Sequence, residues 1–280
     1  MPSRNMLSAQ SRLCSQSITT ITMATPIRIP TAMTVKGKAN QGGSSEASQD
    51  LSADLGFLGA LQLADSFFPS GLYTLSHGLE AFIQHDLVTT ADDLEPLLRT
   101  YVEHLVGPAD GVAIVHAHRA ALLEDLTALC QVDRRLTAVK LTRESREAAM
   151  RIGKRVLATA LSLANKPILQ AYMNAVEEGE APGNAAIAYA ATAAALAVPP
   201  REATLAALYA FAVGLLGASM RLIRVDHVQV QGILARLRPH LIRVVDAHVD
   251  TPLEEMRSWT PLIDIMAMRH EQAHVRLFIS

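Results

Sequence analysis

Ala203 to Met220 runs for 18 residues without a charge, bounded by Glu202 and Arg221. As a helix, a run of that length has to be hidden from water, either inside protein or inside a bilayer. Its strong apolar residues are Leu205, Leu208, Phe211, Val213, Leu215 and Leu216, interrupted by Thr204, Gly214, Gly217 and Ser219. On an insertion scale each of the former contributes about −0.3 to −0.6 kcal/mol, a small sum against the glycine and hydroxyl positions. Just upstream, residues 185–198 form a shorter run made mostly of alanine. Small side chains let helix axes approach closely. The two runs are therefore expected as a buried, central Ala/Gly-rich helical pair rather than as a membrane hairpin.

The rest of the chain from Ser52 onward reads the same way. Leu94, Leu97, Leu98, Tyr101, Val102 and Leu105 recur at helical spacing and make one apolar stripe. Thr90 precedes it, with Asp93 three residues on, which predicts a capping box with Asp in place of Glu. Gly107–Pro108 and Asn165–Lys166–Pro167 are read as breaks, each ending one helix and starting the next. Residues 177–183 read as a loop, Pro199–Pro200 as a tight break and Thr260–Pro261 as a helix start. The expected fold is all-α, a single-domain bundle of roughly ten helices. Aromatic residues make up 4% of the chain, which also disfavours strands.

Residues 1–50 stand apart. They are rich in Ser, Thr, Gln and Gly and show no sustained hydrophobic period. They are expected to form a disordered extension, with residues 51–280 as the folded domain. Arg4, Arg12, Arg28, Lys36 and Lys38 occur there with no acid before Glu46. That bias resembles an organelle transit peptide; a translation start placed too early is a further reading. Residues 51–280 hold 20 basic and 25 acidic groups, so bulk charge does not suggest a nucleic-acid binder. Cys14 and Cys130 match no ligand spacing and are expected to be reduced, inert thiols.

Few motifs carry chemistry. His270–Glu271–Gln272–Ala273–His274 fits the H-E-x-x-H pattern, in which two imidazoles one helical turn apart can share a zinc ion and the Glu can act as base. Catalytic zinc needs a third ligand, and the six residues after His274 include no His, Asp, Glu or Cys. Asp264 or His248 would have to supply it. A zinc hydrolase using His270, Glu271 and His274 is therefore the alternative reading, and a structural or partner-binding terminal helix is the main one. His116 and His118 point in different directions on a helix and are not a metal pair. Eight basic residues lie between Arg134 and Arg155, with Glu144 and Glu147 among them. A solvated face is the default there, and a docking face for an acidic protein the alternative. No Walker loop, dinucleotide fingerprint or serine elbow is present. Asp65 to Tyr73 forms a Gly/Pro/Ser loop whose Phe67, Phe68 and Tyr73 either plug the core or anchor a partner.

Leu61–Gln62–Leu63–Ala64–Asp65–Ser66–Phe67–Phe68–Pro69–Ser70–Gly71, followed by Ser76–His77–Gly78–Leu79–Glu80, resembles the opening signature of the UreF family of urease accessory proteins. Three later stretches agree in order: Arg146 to Gly153, Ser219 to Ile223 with Gln231, and the closing His270–Glu271 with Arg276 to Ser280. Leu75, Ala149, Arg224 and Asp226 depart from the family's usual residues. The resemblance spans about residues 52–280. It implies an all-α, homodimeric, non-catalytic cytoplasmic protein without contact to nucleic acid or membrane. It implies partners too: a UreD/UreH-type protein, the GTPase UreG and apo-urease, to which the assembly delivers nickel. No cofactor would be tightly bound, no side chain is assigned as a metal ligand, and nickel would be at most in transit. The residues expected at partner interfaces are His270, Glu271, Arg276, Leu277 and Phe278 in the tail, Phe67, Phe68 and Tyr73 in the loop, and Arg221.

Overall fold

Several helices begin where local capping chemistry favours a start. In the computed structural model, which describes residues 44–65, 67–68, 75–273 and 276–278, the described residues form eleven α-helices and no strand. They are α1 (Ser44–Ala64), α2 (Leu79–Gln84), α3 (Ala91–Tyr101), α4 (Val112–Leu122), α5 (Leu126–Val139), α6 (Arg143–Leu163), α7 (Pro167–Glu177), α8 (Ala185–Ala195), α9 (Pro200–Leu222), α10 (His227–His248) and α11 (Pro261–Gln272). The expected Asp93 cap is present: its carboxylate accepts from the backbone N–H of Thr89 and of Thr90, both at 2.9 Å. Asp226, one of the departures from the family pattern, caps α10 through Gln229 N–H at 2.8 Å. Prolines open α7, α9 and α11 at positions where no intrahelical N–H is needed.

The break expected at Gly107–Pro108 is absent. Residues Val102–Gly111 instead form a π-helical segment that joins α3 to α4 in one continuous rod. A proline inside an α-helix lacks a donor and crowds the carbonyl four residues back, here that of His104. The wider π turn relieves the crowding, and the backbone N–H of Trp259 takes the freed His104 carbonyl at 3.1 Å. Arg257 N–H does the same for the Pro108 carbonyl at 3.2 Å. The tertiary partner segment, unreadable from local sequence, is what keeps the rod unbroken.

The alanine run forms α8, which is buried on nearly every side. α4 and α6 pack along it, and α9 touches it less extensively. The uncharged run lies in α9, whose apolar window is 44% buried within the fold although its length and composition would suit a bilayer. A second apolar cluster joins α2, α3, α9, α10 and α11 and takes in Phe278 from the chain's end. Between α6 and the loop before α8 the approach is so close that a Cβ on Gly153 would stand 1.9 Å from the Gly183 carbonyl oxygen. That loop is pinned from below by buried Asp133, which accepts from Tyr172 Oη at 2.7 Å, Gly183 N at 2.7 Å and Asn184 N at 3.1 Å.

Candidate functional site around the C-terminal segment

The chain turns into α2 through two residues in the left-handed region, His77 at φ 50° and Gly78 at φ 85°. A Cβ on Gly78 would meet the Ala267 backbone nitrogen at 3.2 Å, so the glycine lets the start of α2 lie directly on α11. This brings Glu80, buried in the first turn of α2, against the last turn of α11. Its carboxylate accepts from His270 Nε2 at 3.1 Å, Leu277 N at 2.8 Å and Phe278 N at 3.2 Å. A buried carboxylate is tolerated only with several donors around it, and these three supply them.

Glu144, in the first turn of α6, holds the other side. It faces His270 Nδ1 at 3.0 Å and accepts from Arg276 Nη1 at 3.0 Å. His270 is fully buried between the two carboxylates. Both ring nitrogens of His270 thus lie within hydrogen-bond distance of a carboxylate oxygen. Arg143 pairs with Glu271 alongside, through Nε at 2.8 Å and a closer Nη2 contact. Phe278 sinks into the second apolar cluster, and the Arg221 guanidinium lies 5.8 Å from its ring centroid. The terminal segment is therefore strapped across α2, α6 and α9 by paired charges and one aromatic plug.

The tail residues expected at a partner interface thus divide. His270 and Phe278 face inward, and Glu271 is engaged by Arg143, whereas Leu277 is 63% exposed and Arg276 keeps 38% of its side chain in solvent. The aromatic loop divides as well: Phe67 is 91% exposed while Phe68 is buried in the core. Tyr73 and His274 lie outside the described residues. Glu80 and Glu144, the two carboxylates that hold the tail, are not among the site residues expected from sequence. The signal for Glu80 was a lone acid within the apolar run Leu79, Ala81 and Phe82.

The zinc-hydrolase alternative finds no support. Both nitrogens of His270 are committed to carboxylates, Glu271 is held by Arg143, and His248 sits beside Thr251 Oγ1 at 3.4 Å. Among the described residues no three His, Cys, Asp or Glu side chains are grouped to hold a metal ion. Much of the basic run is spent inside the fold. Arg134 and Arg135 donate to the carbonyls of Glu180 and Glu254, Lys140 pairs with Asp110 at 2.7 Å, and Arg146 donates to the carbonyls of Lys140 and Leu141. Arg151, Lys154 and Arg155 remain on the exposed face of α6.

Beneath the strap lies a largely apolar cavity of about 190 Å³, lined by His77, Asp110, Lys140, Glu144, Phe211 and Ala267 among others. Burial, with the nearby Lys140 charge adding to it and Asp110 opposing, pushes the His77 imidazole down to about 4.

Comparison with known proteins identifies relatives of this chain. The profile of the UreF family matches residues 88–238. Urease accessory protein UreF 2 of Brucella canis is 32% identical over 225 residues, covering 80% of this chain and 92% of that protein. Urease accessory protein UreF of Yersinia enterocolitica is 31% identical over 218 residues, covering 78% and 95%. These relatives are named as accessory proteins, not as enzymes. On a match of this extent, the chain belongs to the UreF family.

Proposed function

We propose that this protein is a non-catalytic accessory scaffold in urease maturation. In this reading it binds a UreD/UreH-type protein and a UreG-type GTPase, and the assembly inserts nickel into apo-urease. It works as a cytoplasmic homodimer, holds no cofactor tightly and sees nickel only in transit. Family membership supports the accessory role. The observation that carries the reading is the strapped tail: Glu80 and Glu144 hold it in place while Leu277 points outward, 63% exposed. A segment already fixed pays little ordering cost on binding, and it presents an exposed apolar side chain, Leu277, beside Arg276, a residue type enriched among the side chains that dominate interface energy.

Leu277→Asp tests this without disturbing the buried plug. Co-purification with the UreD-type partner is expected to be lost while circular dichroism and Tm stay at wild-type values. Partner binding at full strength by this variant would refute the tail's role.

A further inference from the structure

The cavity beneath the strap contains a carboxylate that no cation balances. Its charged lining is Asp110, Lys140, Glu144 and Asp264. Lys140 pairs with Asp110 at 2.7 Å, and Arg276 with Glu144 at 3.0 Å. The Asp264 side chain, on α11 three residues before Ala267, has only the Thr260 hydroxyl, at 3.5 Å, and among the described residues it forms no ion pair. Burial pushes its carboxyl above the usual range, with the Thr260 hydroxyl opposing. His77 and Phe211 line the same cavity, their ring centroids 4.8 Å apart and tilted by 53°. Tyr101 joins them: its ring lies 5.7 Å from that of Phe211, and its Oη donates to the His77 carbonyl. Burial, and after it the Asp264 charge, push the Tyr101 hydroxyl far up, so Asp264 acts on this aromatic corner. The His77 ring makes no hydrogen bond among the described residues, and burial keeps it neutral near pH 7.

These groups decide the occupant. An anion would meet the Asp264 and Glu144 carboxylates. A metal ion would find no three His, Cys, Asp or Glu side chains grouped to hold it among the described residues. A wholly apolar molecule would strip water from Asp264 and give nothing in return. An organic ammonium answers all three objections. Its charge balances Asp264, and the faces of aromatic rings and the lone pair of a neutral imidazole both attract a cation. Its apolar body suits walls such as Leu105, Ile152 and Phe211. The size agrees as well: the cavity measures about 190 Å³, and one of about 150 Å³ already holds benzene. We infer that this cavity binds a small organic amine in its protonated form, a ring-sized apolar body whose ammonium pairs with Asp264 at the corner formed by His77 and Phe211. The site is independent of the tail's role towards a partner.

The test titrates the full chain with three matched probes, benzylamine, benzyl alcohol and benzoate, by calorimetry. Benzylamine is expected to bind saturably at about millimolar concentration, the range open to a ligand of its size. Benzyl alcohol should bind about tenfold more weakly or worse, and benzoate not at all. Asp264→Asn keeps the shape and removes the charge. It should bring benzylamine down to the affinity of benzyl alcohol while Tm stays within a few degrees of wild type, because the carboxylate it removes is poorly paired. Phe211→Leu should weaken benzylamine more than benzyl alcohol, as the loss of an aromatic face requires. Equal affinities for benzylamine and benzyl alcohol in the wild-type chain overturn the proposal, and so does the absence of saturable benzylamine binding. Full benzylamine affinity in Asp264→Asn overturns it too. Displacement of benzylamine by nickel or magnesium ions overturns it in favour of a metal site. Should Asp264→Asn fail to fold, the comparison of the three probes on the wild-type chain decides alone.

Discussion

Glu80 shows how one residue can organise a site. Its carboxylate gathers three donors from a segment 190 or more positions away in sequence. Glu80→Gln removes the charge that His270 and two backbone N–H groups converge on. The expected loss is about 2–3 kcal/mol, since a charged acceptor is being replaced at a buried cluster. Trypsin cleavage after Arg269 or Arg276 should accelerate accordingly, and unchanged cleavage and Tm would show that the strap is held by Phe278 alone. His77 makes a pH prediction. Its folded-state value of about 4 lies below the ordinary imidazole value of about 6.5, because burial disfavours the charged ring. Between those values the unfolded chain binds a proton that the folded chain does not. The contribution is fully present above about pH 6.5 and declines as pH falls towards about 4, by at most about 3 kcal/mol. His118, lowered by burial as well, acts in the same direction. Urea midpoints at pH 7.5 and 5 should therefore differ less for His77→Asn, a residue that tolerates the positive φ, than for wild type.

At the scale of elements, starts were legible and one continuation was not. Thr90 with Asp93, Pro167, Pro200 and Pro261 mark helix beginnings by local chemistry, and the structure places helices there. Pro108 carries the same local signal of a break, yet the rod passes through it, because Trp259 and Arg257 arrive from elsewhere to occupy the exposed carbonyls. Gly153 closes the Arg146 to Gly153 stretch, but its reason is spatial. A methyl group there would overlap the Gly183 carbonyl oxygen at 1.9 Å. Gly153→Ala is expected to push α6 away from the loop before α8 and to cost about 2–3 kcal/mol. Chemical denaturation checks this, and a variant as stable as wild type would mean that the loop moves freely. That outcome would conflict with the two hydrogen bonds that Asp133 accepts from the same loop, at Gly183 N and Asn184 N.

At the scale of the molecule, the described core residues begin at Leu63 and end at Phe278. A chain starting at Ser44 is therefore expected to keep its helical dichroism and its Tm within a few degrees, and a collapse of either would show that residues 1–43 carry part of the stability. The all-α architecture and the burial of α8 followed from sequence alone. Hydrophobic period, caps and alanine content act within a few turns, and the residues that express them are neighbours in the chain. The candidate site was only half legible by the same means. The tail and the aromatic loop stood out as motifs, but which of their side chains face in or out did not. Phe67 and Phe68 are adjacent and similar, yet one is exposed and the other buried. Glu80 and Glu144 pair with His270 across two separate helices. Such partners are set by how helices pack rather than by any local pattern, because a carboxylate's cost of burial is decided by donors that only the tertiary structure brings near.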